Sequence, residues 1–394
     1  MKCALCDSLA LTEFLDLGKQ PLANKYPTSA AEFEREDFFP LTMHFCPSCK
    51  NVQLGTMISR QRMFEDYYYL SSVNRGLVRH FEGLAKELSR SNFVVDVGSN
   101  DGILLKPLKE LGVRALGVEP SINVSKIAND AGLETVCSFF DGPAAASIEK
   151  KYGKSDAIVA SSVFTHLDNP HEFIAAAAVL LAPAGRLIIE VEYIGNILSH
   201  IQYERFYLDR IFYYSLTSLR ALFARHSMEI ADVEKIEPHG GSLRVTVQRK
   251  GEGSGASARV AELIAEEDGW LTLEQLKKFK AEVDAQTQAF RAALEGFKKS
   301  GLLVGGYGAP ARVSTICNFG HIGPELIEFT VDDSPLKQGR FTPGTHIPIV
   351  KASHLETRRP DVLVVFAYEY FADIKVKTGG SYRYFLPIPP REIQ

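Results

Sequence analysis

At 394 residues the chain is too long for one ordinary hydrophobic core, so two or three domains are expected. An apolar content of 45%, a charged content of 23% and a formal net charge of −4 place it among soluble globular chains and argue against nucleic acid as a partner. No apolar run approaches the roughly 20 residues that span a bilayer, and "MKCALCDSLALTEF" carries cysteines where a signal peptide has its apolar stretch. A cytoplasmic protein with no membrane partner is expected.

The first region runs from residue 1 to 75. Four of the six cysteines fall here as two C-x-x-C pairs, Cys3/Cys6 and Cys46/Cys49, whereas Cys137 and Cys317 stand alone. In a reducing compartment such pairs suit a tetrahedral thiolate site for zinc. Four thiolates leave no open position for water, so the site would be structural. The 39 residues between the pairs exceed a usual zinc-ribbon spacing, and redox or independent thiols are the alternative.

The second region, 76–250, alternates strand-like and helix-like patterns, which indicates an α/β sheet. "FVVDVGS" (93–99), "ALGVEPS" (115–121), "DAIVASSV" (156–163) and "RLIIEVE" (186–192) read as strands, and "HEFIAAAAVLLA" (171–182) reads as a helix. "VVDVGSNDG" sets Asp96 at a strand end, with Gly98 and Gly102 just beyond it. Ligands of α/β sheets bind beyond the carboxyl ends of strands, and glycine there admits a close backbone approach. The spacing is not G-x-G-x-x-G, so a dinucleotide fits poorly. Glu119 ends the next strand, where a carboxylate can take both hydroxyls of a ribose. Turn, acid and the later "SSVFTHLDNP" together look like the S-adenosylmethionine (SAM) methyltransferase class. The candidate cofactor contacts are Asp96, Gly98, Asn100, Gly102, Glu119, Pro120, Ser162 and His166.

"RKGEGSGASAR" (249–259) is the best linker in the chain. The third region, 251–394, opens with a charged helical stretch (260–300) whose charges read as a solvated face. A strand "GLLVGGYGA" (301–309) follows. In "VGGYGAPA", Gly306, Gly308 and Ala311 fit G-x-G-x-x-A, with Asp332 and Asp333 further on. Pro310 disturbs that pattern, which leaves two readings: glycines for strand-to-helix packing, or a nucleotide or sugar contact.

The zinc knuckles, "LGKQPLANKYP", "VVDVGSNDG", "SSVFTHLDNPHEF", "HGGSLRV", "GYGAPAR" and "KQGRFTPGTHIPI" resemble, in that order, the SAM-dependent sugar C-methyltransferases. The resemblance runs over nearly the whole chain. It implies an α/β protein with a small N-terminal zinc-binding domain, a central Rossmann-like SAM domain and a C-terminal Rossmann-like α/β domain. The implied substrate is a nucleotide sugar, usually a dTDP-linked 4-keto-deoxysugar methylated beside the ketone, and a monomer or small homo-oligomer is expected. A carbon beside a ketone is a weak acid, so the reaction needs a base and a group to stabilise the enolate oxygen.

In the family the base lies in a stretch resembling Y-H-E-H-x-x-Y-F-S. Here that stretch is "YLDRIFYYS" (207–215): Tyr207 and Asp209 match the tyrosine and the glutamate, Leu208 replaces the first histidine, and Arg210 replaces the base histidine. Arginine stays protonated and cannot be a general base near neutral pH. Asp209, Tyr207, Tyr69 of "DYYYLSS", His200 and His239 are then the candidates, and the aromatic residues around Asp209 are expected to wall the acceptor pocket. Lys337 and Arg340 are candidate phosphate contacts. Methylation of a hydroxyl, or loss of catalysis, would be the alternatives, and Arg210→His is expected to be tolerated or to raise activity.

Overall fold

A computed structural model describes residues 1–58, 70–253 and 255–394, so Tyr69 lies outside the described residues. The chain opens with an antiparallel meander, β1 (Thr12–Pro21), β2 (Phe38–Cys46) and β3 (Asn51–Leu54). Cys3 and Cys6 precede β1, and Cys46 and Cys49 flank the turn between β2 and β3. One end of this small sheet therefore gathers all four sulfurs.

Helix Arg75–Glu87 begins the central unit. Asn74 caps it, its side chain accepting from the Gly76 and Leu77 amides, and Leu77, Phe81, Leu84 and Ala85 form a buried stripe at helical spacing. The parallel strands β4 (Phe93–Val97), β5 (Arg114–Val118), β6 (Thr135–Val136), β7 (Ser155–Ser161) and β8 (Leu181–Glu192) follow, separated by helices. All five residues of β4 are buried, as a strand covered on both faces requires. The chain then contributes β9 (Phe212–Tyr213) to the N-terminal sheet, against β3, and returns as β10 (Met228–Ile236) and β11 (Ser242–Arg249). The central sheet has the order β10-β11-β8-β7-β4-β5-β6, with β11 antiparallel to both of its neighbours. This is a Rossmann-like methyltransferase sheet. Its strand order reverses between β4 and β7, the switch point at which such sheets bind ligands.

The charged stretch forms two helices, Ala258–Trp270 and Leu273–Lys299, not one. They part where Leu271 is fully buried and Thr272 caps the second helix. The longer helix buries Leu276, Phe279, Val283, Phe290, Leu294 and Phe297 along one stripe and leaves its charges outside, as expected. The last unit is a doubly wound sheet of β12 (Val304–Tyr307), β13 (Thr330–Val331), β14 (Ile349–Val350), β15 (Val362–Val365), β16 (Arg383–Pro387) and β17 (Pro390–Ile393). Its order is β14-β13-β12-β15-β16-β17, parallel except for β17. Among the described residues no helix is long and apolar enough to cross a membrane.

Candidate active site

The carboxyl ends of β4, β5, β7 and β8 open into a cavity of about 410 Å³. Residues of all three units line it: Asn24 from the N-terminal unit, the central sheet's loops, and Pro310, Ala311, Arg312, Lys337, Glu369 and Tyr370 from the C-terminal unit.

One half lies over β4 and β5. Gly98 has φ +71°, and a Cβ there would overlap Val163, so glycine is required both by conformation and by space. Asn100 follows at φ 49°, a left-handed position that asparagine tolerates. Glu119 ties the two turns together, accepting from the Ser121 amide at 2.8 Å and the Asn100 amide at 3.1 Å. Burial pushes its carboxyl up, partly offset by those amides. Burial, reinforced by Glu119 and Glu190, drives Asp96 well above the ordinary carboxylate range. A bound cation relieves such crowding, which suits the ammonium and sulfonium groups of SAM. Val118, Phe139, Phe140 and Leu167 give this half an apolar wall fit for a base ring. Of the expected cofactor contacts, Asp96, Gly98, Asn100, Glu119, Pro120, Ser162 and His166 line the cavity. Gly102 does not: it has φ +85° and abuts Leu133, so its role is packing.

Behind this half, Glu190 accepts from Ser161 at 2.6 Å, Arg244 at 2.8 Å and His80 at 2.9 Å. Its burial opposes ionisation, but His80, Arg244 and Ser161 hold it at about 2. The carboxylate fixes the helix that carries Leu77 and Phe81 over the cavity.

The other half is built on a chain of buried ions. Arg210 makes a close ion pair with Glu192, at the end of β8. Arg205 lies 3.6 Å from the same carboxylate and pairs with Glu369, which also takes Arg312 at 2.9 Å. Burial works against every charge here, yet Arg210 and Arg205 hold Glu192 below its ordinary range, and Glu192 in turn raises Arg210. Arg210 therefore stays cationic, stacked 4.7 Å over the Tyr207 ring. Among the described residues its buried Nε has no hydrogen-bond partner, and neither has Nη1 of Arg312.

Asp209 differs. Among the described residues no cation contacts its carboxylate; Oδ2 accepts from the Asn24 amide at 2.7 Å. Burial raises its pKa, and Asn24 and Arg210 offset only part of that. His166 donates through Nδ1 to the Asp209 carbonyl, and burial with Arg210 nearby holds the ring at about 4. His239 lines the cavity from a turn at φ 56°, and burial lowers its pKa. His200 is exposed, bonded to the Asn196 carbonyl at 3.0 Å, and not part of the cavity.

Three expectations need correction. Of the aromatic residues around Asp209 only Tyr207 faces the cavity; Phe206, Phe212, Tyr213 and Tyr214 are fully buried in the core, because β9 joins them to the N-terminal sheet. Arg340 does not reach the cavity, whereas Lys337 lines it, donating to the Ala309 carbonyl at 3.0 Å. The second glycine turn is closed by the protein itself: the Ala309 amide donates to Asp332 at 2.7 Å, and a Cβ on Gly308 would crowd the Ala367 backbone. Packing explains its glycines, and contact with the shared cavity falls to Pro310–Arg312.

Asn24, Glu192, Arg205, Arg312 and Glu369 escaped the sequence reading. Glu192 could have been found, since it ends a predicted strand on the ligand side of the sheet. Glu369 carries no such signal.

At the far end of the N-terminal sheet the sulfurs of Cys3, Cys6, Cys46 and Cys49 lie within 4.8 Å of one another, with Cys3–Cys49 at 3.5 Å and Cys6–Cys46 at 3.6 Å. Zn–S bonds of about 2.3 Å put tetrahedral sulfurs about 3.8 Å apart, so the set fits zinc. The contact with Cys49 pulls Cys3 down to about 5 while driving Cys49 up. One thiolate forms at its neighbour's expense, and a cation is what lets all four ionise.

Three family models match in series: a zinc binding domain over residues 3–64, a methyltransferase domain over 67–232 and a C-methyltransferase C-terminal domain over 237–386. The C-methyltransferase NovU of Streptomyces niveus is 29% identical across 100% of this chain and 96% of its own length. A ubiquinone biosynthesis O-methyltransferase of Maricaulis maris is 31% identical over 28% of this chain and 41% of its own. Among solved structures, the CcbJ methyltransferase of Streptomyces caelestis covers 47% of this chain and 94% of its own, at 14% identity and a TM-score of 0.37.

Proposed function

From the premise that the chain belongs to the SAM-dependent C-methyltransferases with an N-terminal zinc-binding domain, we propose that it methylates C3, beside the ketone, of a dTDP-linked 4-keto-deoxysugar. The observation that carries this reading is the composition of the cavity's acceptor half. Among the described residues, Glu192 and Glu369 of this half are clasped by arginines, whereas Asp209 has no cation on its carboxylate oxygens. A carboxylate raised by burial and left unpaired is suited to accept a proton.

SAM is held by Asp96, Gly98, Asn100, Glu119, Pro120, Ser162 and His166, and it supplies an activated methyl group. Asp209 takes the proton from C3, and the C–H electrons delocalise onto the ketone oxygen. Arg210, which lines the cavity and is kept charged by Glu192, stabilises that oxygen. Such a preorganised donor is worth about 10²–10³ in rate. Tyr207 and His239 border the sugar, and Arg312 and Lys337 meet its diphosphate. Cys3, Cys6, Cys46 and Cys49 hold a structural zinc ion outside the chemistry.

The test is product analysis after incubation with SAM and a dTDP-linked 4-keto-6-deoxysugar. The reading requires a new methyl on C3, seen by NMR as a carbon-bound methyl. A methyl on oxygen, with no carbon product, would overturn it.

A further inference from the structure

We infer that Asn24, carried by the zinc-binding unit, is a positioning residue that sets the orientation and acidity of the Asp209 carboxylate. The inference rests on the reading of Asp209 as the base and adds to it a role for the N-terminal unit in the chemistry.

Asn24 lies in the loop after β1, beyond the last strand residue Pro21. Leu22 and Ala23 are buried, and a turn bond from the Lys25 amide to the Leu22 carbonyl, 3.0 Å, closes the loop. Beyond Asn24, the Tyr26 hydroxyl donates to the Ala309 carbonyl at 2.8 Å and the Phe341 amide donates to the Pro27 carbonyl at 2.9 Å. The loop is therefore pinned to the core of its own unit on one side and to the C-terminal unit on the other. Between these anchors the Asn24 side chain borders the cavity and donates to Asp209 Oδ2 at 2.7 Å. A hydrogen bond to one carboxylate oxygen fixes the plane of the group and directs the other oxygen's lone pairs elsewhere. It also favours the ionised form, the one that accepts a proton.

The charges around Asp209 come from several elements. Arg210 is its chain neighbour and is engaged by Glu192 of β8. His166 meets the Asp209 backbone carbonyl, not the carboxylate. Tyr26 and Lys337 approach from the loop after β1 and from the C-terminal unit, Tyr26 feeling the Asp209 charge directly. His239 lies across the cavity. Among the described residues none of these donates to the Asp209 carboxylate oxygens; Asn24 does.

The experiment is the pH profile of kcat for wild type, Asn24→Ala and Asn24→Asp, with SAM and a dTDP-linked 4-keto-6-deoxysugar, alongside Tm and zinc content. Loss of the amide donor leaves Asp209 harder to ionise, so the acid limb of Asn24→Ala is expected to move to higher pH by about one unit. Its kcat at neutral pH is expected to fall about tenfold. Asn24→Asp, nearly the same shape, places a second carboxylate beside the first and is expected to move the limb at least as far, which keeps the test alive if the alanine variant fails to fold. A fall in kcat with an unmoved acid limb in both variants, or unchanged activity, overturns the inference. Activity retained in Asp209→Asn would instead bring down the base reading itself, a result distinguishable because it does not involve Asn24.

Discussion

Asp209 and Arg210 are adjacent in the chain and opposite in chemical situation. Arg210 is locked to Glu192, whereas the Asp209 carboxylate accepts from the Asn24 amide and, among the described residues, meets no cation. The sequence alone made Arg210 the residue standing where a base should be, and on that view Arg210→His looked tolerable. The ion pair reverses that expectation. A histidine there would leave the buried Glu192, among the described residues, with Arg205 at 3.6 Å, and remove a guanidinium that lines the cavity. Arg210→His is expected to lower kcat about 10²-fold and to cost about 2–3 kcal/mol of stability, read by steady-state kinetics and denaturant titration. Activity at or above wild type would show that Arg210 is a bystander. Most of the cavity half over β4 and β5 was legible in the sequence, because a glycine turn and an acid at consecutive strand ends carry their geometry with them. Arg205, Arg312 and Glu369 were not, since their meaning lies in one another and they come from separate stretches of the chain.

At the scale of elements, periodicity did most of the work. The four central strands and the helix at 171–182 lie where their patterns put them, although β8 starts at Leu181, five residues ahead of the expected 186. What pattern could not show was the two-residue strand β9, which pairs with β3 and draws Phe212 and Tyr213 out of the acceptor pocket into the core. A run that short has no period. It also has a consequence: Asp209 and Arg210 immediately precede a strand of the zinc-bearing sheet. Removing zinc with a strong chelator is therefore expected to lower Tm and to reduce methyl transfer by more than tenfold, with recovery on adding Zn²⁺ back. Full activity in the metal-free protein, verified by metal analysis, would separate the zinc site from the catalytic loop.

Across the whole molecule, the run Arg210–Glu192–Arg205–Glu369–Arg312 links the central sheet to the C-terminal unit, with Asn74 bonded to the Tyr370 hydroxyl at 2.7 Å beside it. Burial opposes ionisation of Glu369, but Arg312 and Arg205 hold it at about 2, against an ordinary value of 4.5. A carboxyl lowered on folding contributes stability that is complete above about pH 4.5 and is lost as pH falls toward 2. Glu369→Gln is expected to flatten acid unfolding across that window and to raise KM for the proposed nucleotide-sugar substrate, since it loosens the unit that covers the cavity. An unchanged acid transition in that variant would place the stabilising charges elsewhere. Activation of a carbon acid by Asp209 in this cavity is read by deuterium exchange in D₂O at C3 of a dTDP-linked 4-keto-6-deoxysugar, followed by NMR. Wild type is predicted to exchange that proton and Asp209→Asn to lose the exchange by at least 10²-fold while still binding SAM; exchange persisting at the wild-type rate in Asp209→Asn would contradict the account.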